Sequence, residues 1–255
     1  MKIRLIVMAL ALFSIIETKA QLKDPTISFS VQPTIGNRLM TFRSNINSRI
    51  KDSINSMDRM RDAIGAQFMI SFSTSHTARI HFGLQFQNFG FTRRRENYRF
   101  LDTIHPEIGV MNDLSQTGGN YADFNFRYHY IAIPFLFSKE IKSKNVKESK
   151  MHFLIGGSVS ALINHDIKAQ LRGFSTKDGK DFRLKDKENQ AGRFNANLQV
   201  SFRLENPLYG KNTFIFVQPD LFVPVLKANY SSMRAQLYAL GLQVGVMFKL
   251  DKDKA

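Results

Sequence analysis

From Phe194 to Glu205 the chain reads FNANLQVSFRLE and alternates without a fault. Phe194, Ala196, Leu198, Val200, Phe202 and Leu204 are apolar; Asn195, Asn197, Gln199, Ser201, Arg203 and Glu205 between them are polar. Strict period-2 alternation predicts a β-strand with one apolar and one polar face. A dozen residues exceeds the ~5–6 of an average soluble strand and fits the ~9–11 that cross a bilayer at a tilt. Seven further segments read as strands around it: Thr26 to Phe42, Gly65 to Ser73, Arg79 to Phe91, Asp123 to Ser138, Met151 to Asn164, Thr213 to Val225 and Ala235 to Leu250. No apolar run approaches the ~18 residues of a membrane-spanning helix. A chain of this pattern that spans a membrane must therefore close its strands into a barrel, which satisfies every backbone group in lipid.

The connections support the same architecture. Segments 43–64, 93–122 and 165–193 are long, 74–78, 139–150 and 206–212 are shorter, and 226–234 is brief. Up-and-down bacterial barrels have short periplasmic turns and longer external loops. From a periplasmic N-terminus the first, third, fifth and seventh links are external, and the long ones fall there. The expected fold class is all-β: an eight-stranded antiparallel up-and-down transmembrane β-barrel with long extracellular loops.

Residues 1–20 read as a cleaved signal peptide. Lys2 and Arg4 form a charged start, Leu5 to Ile16 an apolar run too short to span, and Thr18-Lys19-Ala20 a small-residue junction before Gln21. This leaves 21–255 as one outer-membrane barrel domain. Removing Lys2, Arg4, Lys19 and Glu17 leaves 33 basic against 20 acidic residues. Cysteine is absent, which excludes disulfides and thiolate metal sites. Tryptophan is absent as well, so an interfacial aromatic girdle falls to Phe and Tyr, such as Tyr209 and Tyr238.

One strand reads in two phases. In FNFRYHYIAIPFLF the aromatics Phe124, Phe126, Tyr128 and Tyr130 alternate first, and Ile131, Ile133, Phe135 and Phe137 then alternate out of phase. A bulge would shift the phase. The preferred expectation is that only the lower half faces lipid, with Tyr128 and Tyr130 near the interface. Pro134 costs a ladder bond there.

YIAIPFLFSKEI, from Tyr130 to Ile141, resembles the Tyr-x-x-Ile-Pro-Leu-Leu-x-Lys strand of PorT-like outer-membrane β-barrels. FLIGGSVSALI, Phe153 to Ile163, is similar to the Gly-containing strand that follows it, and LGLQVGVMFKL resembles the closing strand. The resemblance implies an eight-stranded barrel, and some members take part in machinery that secretes proteins across this membrane. Where many members carry an acidic residue two positions after the tyrosine, this chain has Ala132, so no role for that carboxylate carries over.

Chemistry is sparse. The inward set is predicted to hold Gln67, Ser71, His81, Gln85, Gln87, Asn195, Asn197, Gln199, Arg203, Glu205, Asp220 and Gln243, with Arg203 paired to Glu205 or Asp220. Eight strands leave an interior that side chains fill, so these groups are expected to form a plug; the other reading is a polar path for solute. The histidines at 76, 81, 105, 129, 152 and 165 show no metal-ligand spacing. His165-Asp166 would serve a barrel hydrolase if a serine met it, and otherwise reads as a rim residue. Gly118-Gly119 and Gly156-Gly157 lack the lysine and helix of a phosphate loop; a turn and a close strand approach explain them. In 43–64, Ile46, Ile50, Ile54, Met57 and Ile64 recur at helical spacing among Arg43, Arg49, Lys51, Arg59 and Arg61, predicting an amphipathic helix that lies on the outer leaflet, receives a partner or caps the mouth.

The loop 165–193 carries Lys168, Arg172, Lys177, Lys180, Arg183, Lys185, Lys187 and Arg193 against Asp166, Asp178, Asp181, Asp186 and Glu188. No aromatic platform for nucleic acid accompanies them; a solvated loop, or attraction to phosphorylated surface lipid, fits better. These readings converge on a non-enzymatic barrel working through its external loops, as a surface component or an accessory to secretion. The expected partners are outer-membrane lipid and other membrane or secretion-machinery proteins, with no catalytic residue, metal or cofactor. The alternatives are a secreted lipocalin-like carrier, whose apolar faces would point inward, and a barrel enzyme.

Overall fold

Alternation of this length commits the chain to strands, and a computed structural model shows how they close. It describes residues 23–42, 56–96, 121–141, 149–172, 181–184, 192–209, 212–226 and 233–250. The elements are β1 (Lys23–Phe42), β2 (Asp58–Arg59), β3 (Arg61–Ser73), β4 (Ala78–Glu96), β5 (Tyr121–Ile141), β6 (Lys150–Arg172), β7 (Asp181–Leu184), β8 (Phe194–Tyr209), β9 (Thr213–Pro224) and β10 (Met233–Lys249). Antiparallel pairing runs β1–β3–β4–β5–β6–β8–β9–β10 and returns from β10 to β1, a closed ring of eight. The short β2 and β7 add to β4 and β6 above the ring. Residues 1–22, with the predicted signal segment, lie outside the described residues.

The two faces are distributed as the alternation predicts. Phe29, Val31, Leu84, Ile133, Leu198 and Leu240 are among the apolar side chains exposed on the outside. All twelve polar residues assigned inward are buried. Along β5, Ile131 to Ile141 rises about 3.4 Å per residue, which at the usual tilt gives a band of about 25 Å, the height of a barrel's lipid-facing belt.

β5 corrects the expectation for its upper half. No bulge interrupts it: Tyr128, Tyr130, Ala132, Pro134, Leu136 and Ser138 are all buried on one inward face. Tyr128 and Tyr130 therefore point into the barrel and not to the interface. The lower half does face outward, through Ile131, Ile133, Phe135 and Phe137. Above them the outward positions are Asp123, Asn125, Arg127 and His129, so the wall changes from apolar to polar at that level. β4 makes the same exchange, from Phe82, Leu84 and Phe86 outside to Phe89 and Phe91 inside. The irregularity lies in the neighbour: Tyr130 pairs with Leu162 and His129 with Asn164, leaving Ile163 of β6 as the extra residue.

Strands outrun their predicted ends on the outer side, to Glu96 in β4 and Arg172 in β6, while β5 starts at Tyr121. This shortens the long links. The helix expected over 43–64 is corrected from Asp58 onward, where the chain is strand; residues 43–55 lie outside the described set. Ile64 is not on a helical stripe but faces outward from β3.

Pairing between β3 and β4 ends at Ala66 and Phe86. Beyond it, β4 crosses the inner side of its neighbours. A Cβ on Gly65 would lie 2.6 Å from the Phe86 carbonyl oxygen, and one on Gly36 would lie 3.0 Å from that of Gly90. Any side chain at Gly65 would collide with that backbone. Carried by this crossing, the upper parts of β4 and β5 meet β9 and β10 across the mouth and serve as a lid.

Candidate functional site

The interior is layered from the end with the short turns to the end with the long links. Lowest, Phe214, Phe216 and Met247 form an apolar cluster. Beside them Glu205 is the centre of an ionic group. Arg79 Nη1 donates to both its oxygens, at 3.3 and 3.2 Å; His152 Nε2 lies 3.4 Å away and Arg203 Nη1 3.8 Å. The predicted Arg203–Glu205 pair is present. Arg203 also donates through Nε to Gln218 Oε1 at 2.6 Å and stacks over the Phe216 ring at 4.4 Å. Charges drawn this far out of water persist only when matched and hydrogen-bonded.

Asp220, the other predicted partner of Arg203, is held instead by neutral donors. Gln32 Nε2 lies at 2.7 Å, Gln199 Nε2 at 2.9 Å and Gln218 Nε2 at 2.7 Å, and Ser201 Oγ donates as well. Behind Gln32 stand more amides in file: Gln87 donates to Gln85 at 2.8 Å, and Gln85 to Gln32 at 2.7 Å. Each N–H points toward the carboxylate, so the amide dipoles reinforce one another along the file. Strands on opposite sides of the ring are thus cross-linked through the lumen by side-chain hydrogen bonds.

Over this layer lies an apolar seal. Phe89, Phe91, Tyr128 and Tyr130 from the lid meet Phe222, Leu237 and Ala239 from β9 and β10. Phe89 packs edge-on against Phe222 with centroids 5.7 Å apart, and Phe91 stacks on Phe126 at 4.4 Å. Buried ion pairs fasten the lid. Asp58 accepts from Arg38 of β1 and from Arg93 of β4 at 2.9 Å, and Arg38 lies over the Phe91 ring at 4.0 Å. Burial pushes the Asp58 carboxyl up, against the downward pull of Arg38. Further out, Arg94 grips both oxygens of Asp123, which raises its guanidinium above the ordinary value. None of the Asp58 contacts was foreseen, because the helical pattern of 43–64 hid the short β2.

Two catalytic possibilities are placed by the geometry. His81 sits between two hydroxyls, Ser71 Oγ at 2.6 Å from Nδ1 and Ser138 Oγ at 2.7 Å from Nε2. Nucleophile and base are in reach, but all three residues are 1% exposed, and a reacting group needs room beside both. They tie β3, β4 and β5 together. His165 and Asp166 sit above the Ile163 bulge, paired with Tyr128 and Arg127. Among the described residues no group of three His, Asp or Glu side chains is arranged to hold a metal. Gly156 belongs to β6, where a Cβ would lie 2.1 Å from the Phe135 carbonyl oxygen, a close strand approach; Gly118-Gly119 lies outside the described residues.

Neither a protein-family model nor a curated protein sequence matches the chain. Among solved structures it is similar to neisserial surface protein A, at 12% identity over 87% of this chain and 97% of that one, with a TM-score of 0.37. It is also similar to Ail, the attachment invasion locus protein of Yersinia pestis, in complex with the heparin analogue sucrose octasulfate, at 11% identity over 88% and 99%, with a TM-score of 0.32. The outer membrane protein OprG from Pseudomonas aeruginosa is 6% identical over 90% and 97%, with a TM-score of 0.44. At such identities the likeness concerns the fold alone; the closed ring of eight antiparallel strands stands on its own pairing.

Proposed function

We propose that the chain is an outer-membrane barrel, exported by its signal segment 1–20, that transports nothing through its centre and acts at its outer end. The observation that carries this reading is the inside-out distribution of polarity: an apolar outer wall surrounds a buried polar core. Exposed side chains such as Phe29, Ile133, Val159 and Leu198 would form a continuous apolar wall in water, far beyond the patches soluble monomers tolerate; in lipid they need no cover. A lipocalin-like carrier is disfavoured because its apolar faces would line the cavity. Among the described residues, the barrel-enzyme reading finds a base within reach of serines at His81, in the closed interior.

On this reading the working parts are the lid and the links 43–57, 97–120 and 173–180, serving as a surface component or an accessory to secretion; the resemblance to PorT-like barrels supports the latter role. The expected result is recovery in the outer-membrane fraction, with a gel mobility that shifts on boiling. Shortening the three links should abolish the cellular role while leaving that shift intact. Recovery as a soluble periplasmic monomer would sink the placement, and full cellular activity without the links would sink the role.

A further inference from the structure

The seam where β3 parts from β4 combines two features that the closed barrel does not require. The first is an apolar groove of about 390 Å³ on the outer wall, lined mainly by Phe29, Ala66, Phe68, Leu84, Phe86 and Ile131. Ala66 makes the groove: it stands between Val31 and Phe86 in the ladder, where a larger side chain would fill the space. The groove lies inside the apolar belt.

The second feature lies directly above. Asn88 and His129 are paired over Phe86 and Ile131, and the His129 ring stacks on Phe86 at 5.9 Å. One step higher, Gly90 is paired with Arg127. Arg61 reaches across from β3, its Nη1 2.6 Å from where a Gly90 Cβ would stand; the Phe126 carbonyl oxygen, 2.1 Å from that point, is what requires glycine there. Arg61 Nη1 and Arg127 Nε are buried atoms with no hydrogen-bond acceptor among the described residues. Two acids stand nearby: Asp166, opposite Arg127 in the ladder, and Asp62, exposed beside Arg61 in sequence. Both carboxylates act on Arg61, and Asp166 Oδ1 is itself a buried atom without a hydrogen-bond partner, so the seam is balanced in charge and what it offers a ligand is its unpaired guanidinium N–H groups.

We propose that this seam binds a phosphate-bearing lipid of the outer leaflet, one acyl chain lying in the Ala66 groove and a phosphate resting on Arg61 and Arg127. The proposal rests on the outer-membrane reading above. Within the belt the groove can be filled only by hydrocarbon. At its upper end a guanidinium supplies the planar, paired donors that phosphate oxygens accept best. Partial burial strengthens that pairing relative to open water. Chain and headgroup are thus recognised at the depths where a lipid presents them.

The test uses the purified full-length barrel in detergent, titrated by native mass spectrometry with three probes: diphosphoryl lipid A, its dephosphorylated form, and inorganic phosphate. The wild type is expected to hold one diphosphoryl lipid about tenfold more tightly than the dephosphorylated one, a difference near 1.4 kcal/mol. R61A combined with R127A should abolish that preference. Ala66→Phe, on the lipid-facing wall, should weaken both lipids and leave inorganic phosphate unaffected; Ala66→Leu serves if the bulkier residue prevents folding. Equal binding of the two lipids by the wild type would overturn the proposal. So would unchanged lipid binding in the Ala66 variants with full competition by inorganic phosphate, which would mark a free-anion site. Retention of the boiling shift in every variant separates these outcomes from failure of the membrane reading.

Discussion

Glu205→Ala is expected to destabilise the refolded barrel by roughly 3–5 kcal/mol, the cost of stranding a buried charge. Glu205 is 1% exposed and is the acceptor for Arg79, with His152 and Arg203 close by. Without it, Arg203, itself 1% exposed, loses its nearest carboxylate. Arg79 is less confined, with 11% of its side chain exposed, and can turn out of the short-turn end of the barrel. A second variant isolates the cause. Replacing Arg203 by Met together with Glu205 by Leu removes both buried charges, and apolar substitution of a whole buried pair is close to neutral. Urea unfolding in lipid vesicles should therefore show the double variant nearer to wild type than the single one. Equal losses would mean that packing, and not the stranded charge, sets the cost.

Leu198→Arg is the second large effect, expected at about 2–4 kcal/mol if the residue lies near the bilayer midplane. Leu198 is 54% exposed. On a water-facing wall such a change would stay within about 0.5 kcal/mol, so the size of the loss reports the solvent on that side. Its neighbour Asn197 is 2% exposed and faces the core; Asn197→Arg should disturb the interior network and be insensitive to bilayer thickness. Vesicle refolding of both variants in lipids of two chain lengths checks this. Equal behaviour at the two positions would reverse the faces.

How far the sequence could be read depends on which solvent each face meets. Where one face meets apolar surroundings and the other a polar core, alternation is complete, and the ring strands and the inward set follow from it. Above the belt the arrangement inverts. In β4 and β5 the backbone continues without a shift while the apolar residues change faces, so Phe86 to Phe89 and Tyr130 to Ile131 look like broken phase. In β6 the extra residue Ile163 flips the backbone, and Ile167, Ala169 and Leu171 keep the odd positions of the outward Ile155 and Val159 although they point inward. The two cases disguise one event. The lid itself depends on Gly36, Gly65 and Gly90 standing at a three-dimensional crossing, and no periodicity records that. Nor does it record the meeting of Asp58 with Arg38 and Arg93, which are distant in the chain.

On this reading the barrel is closed: sealed above by Phe89, Tyr130 and Phe222, cross-linked at Asp220, and shut below around Arg203 and Glu205. The most direct measurement is single-channel current from the intact protein in planar bilayers, with variants in which Phe89 and Phe222 are both alanine, or the long external links are shortened, for comparison. The intact protein is predicted to give no current steps, and the variants to stay silent as well, since the amide layer and the ionic group still fill the lumen. Steady, reproducible conductance from the intact protein would contradict the account and make it a channel.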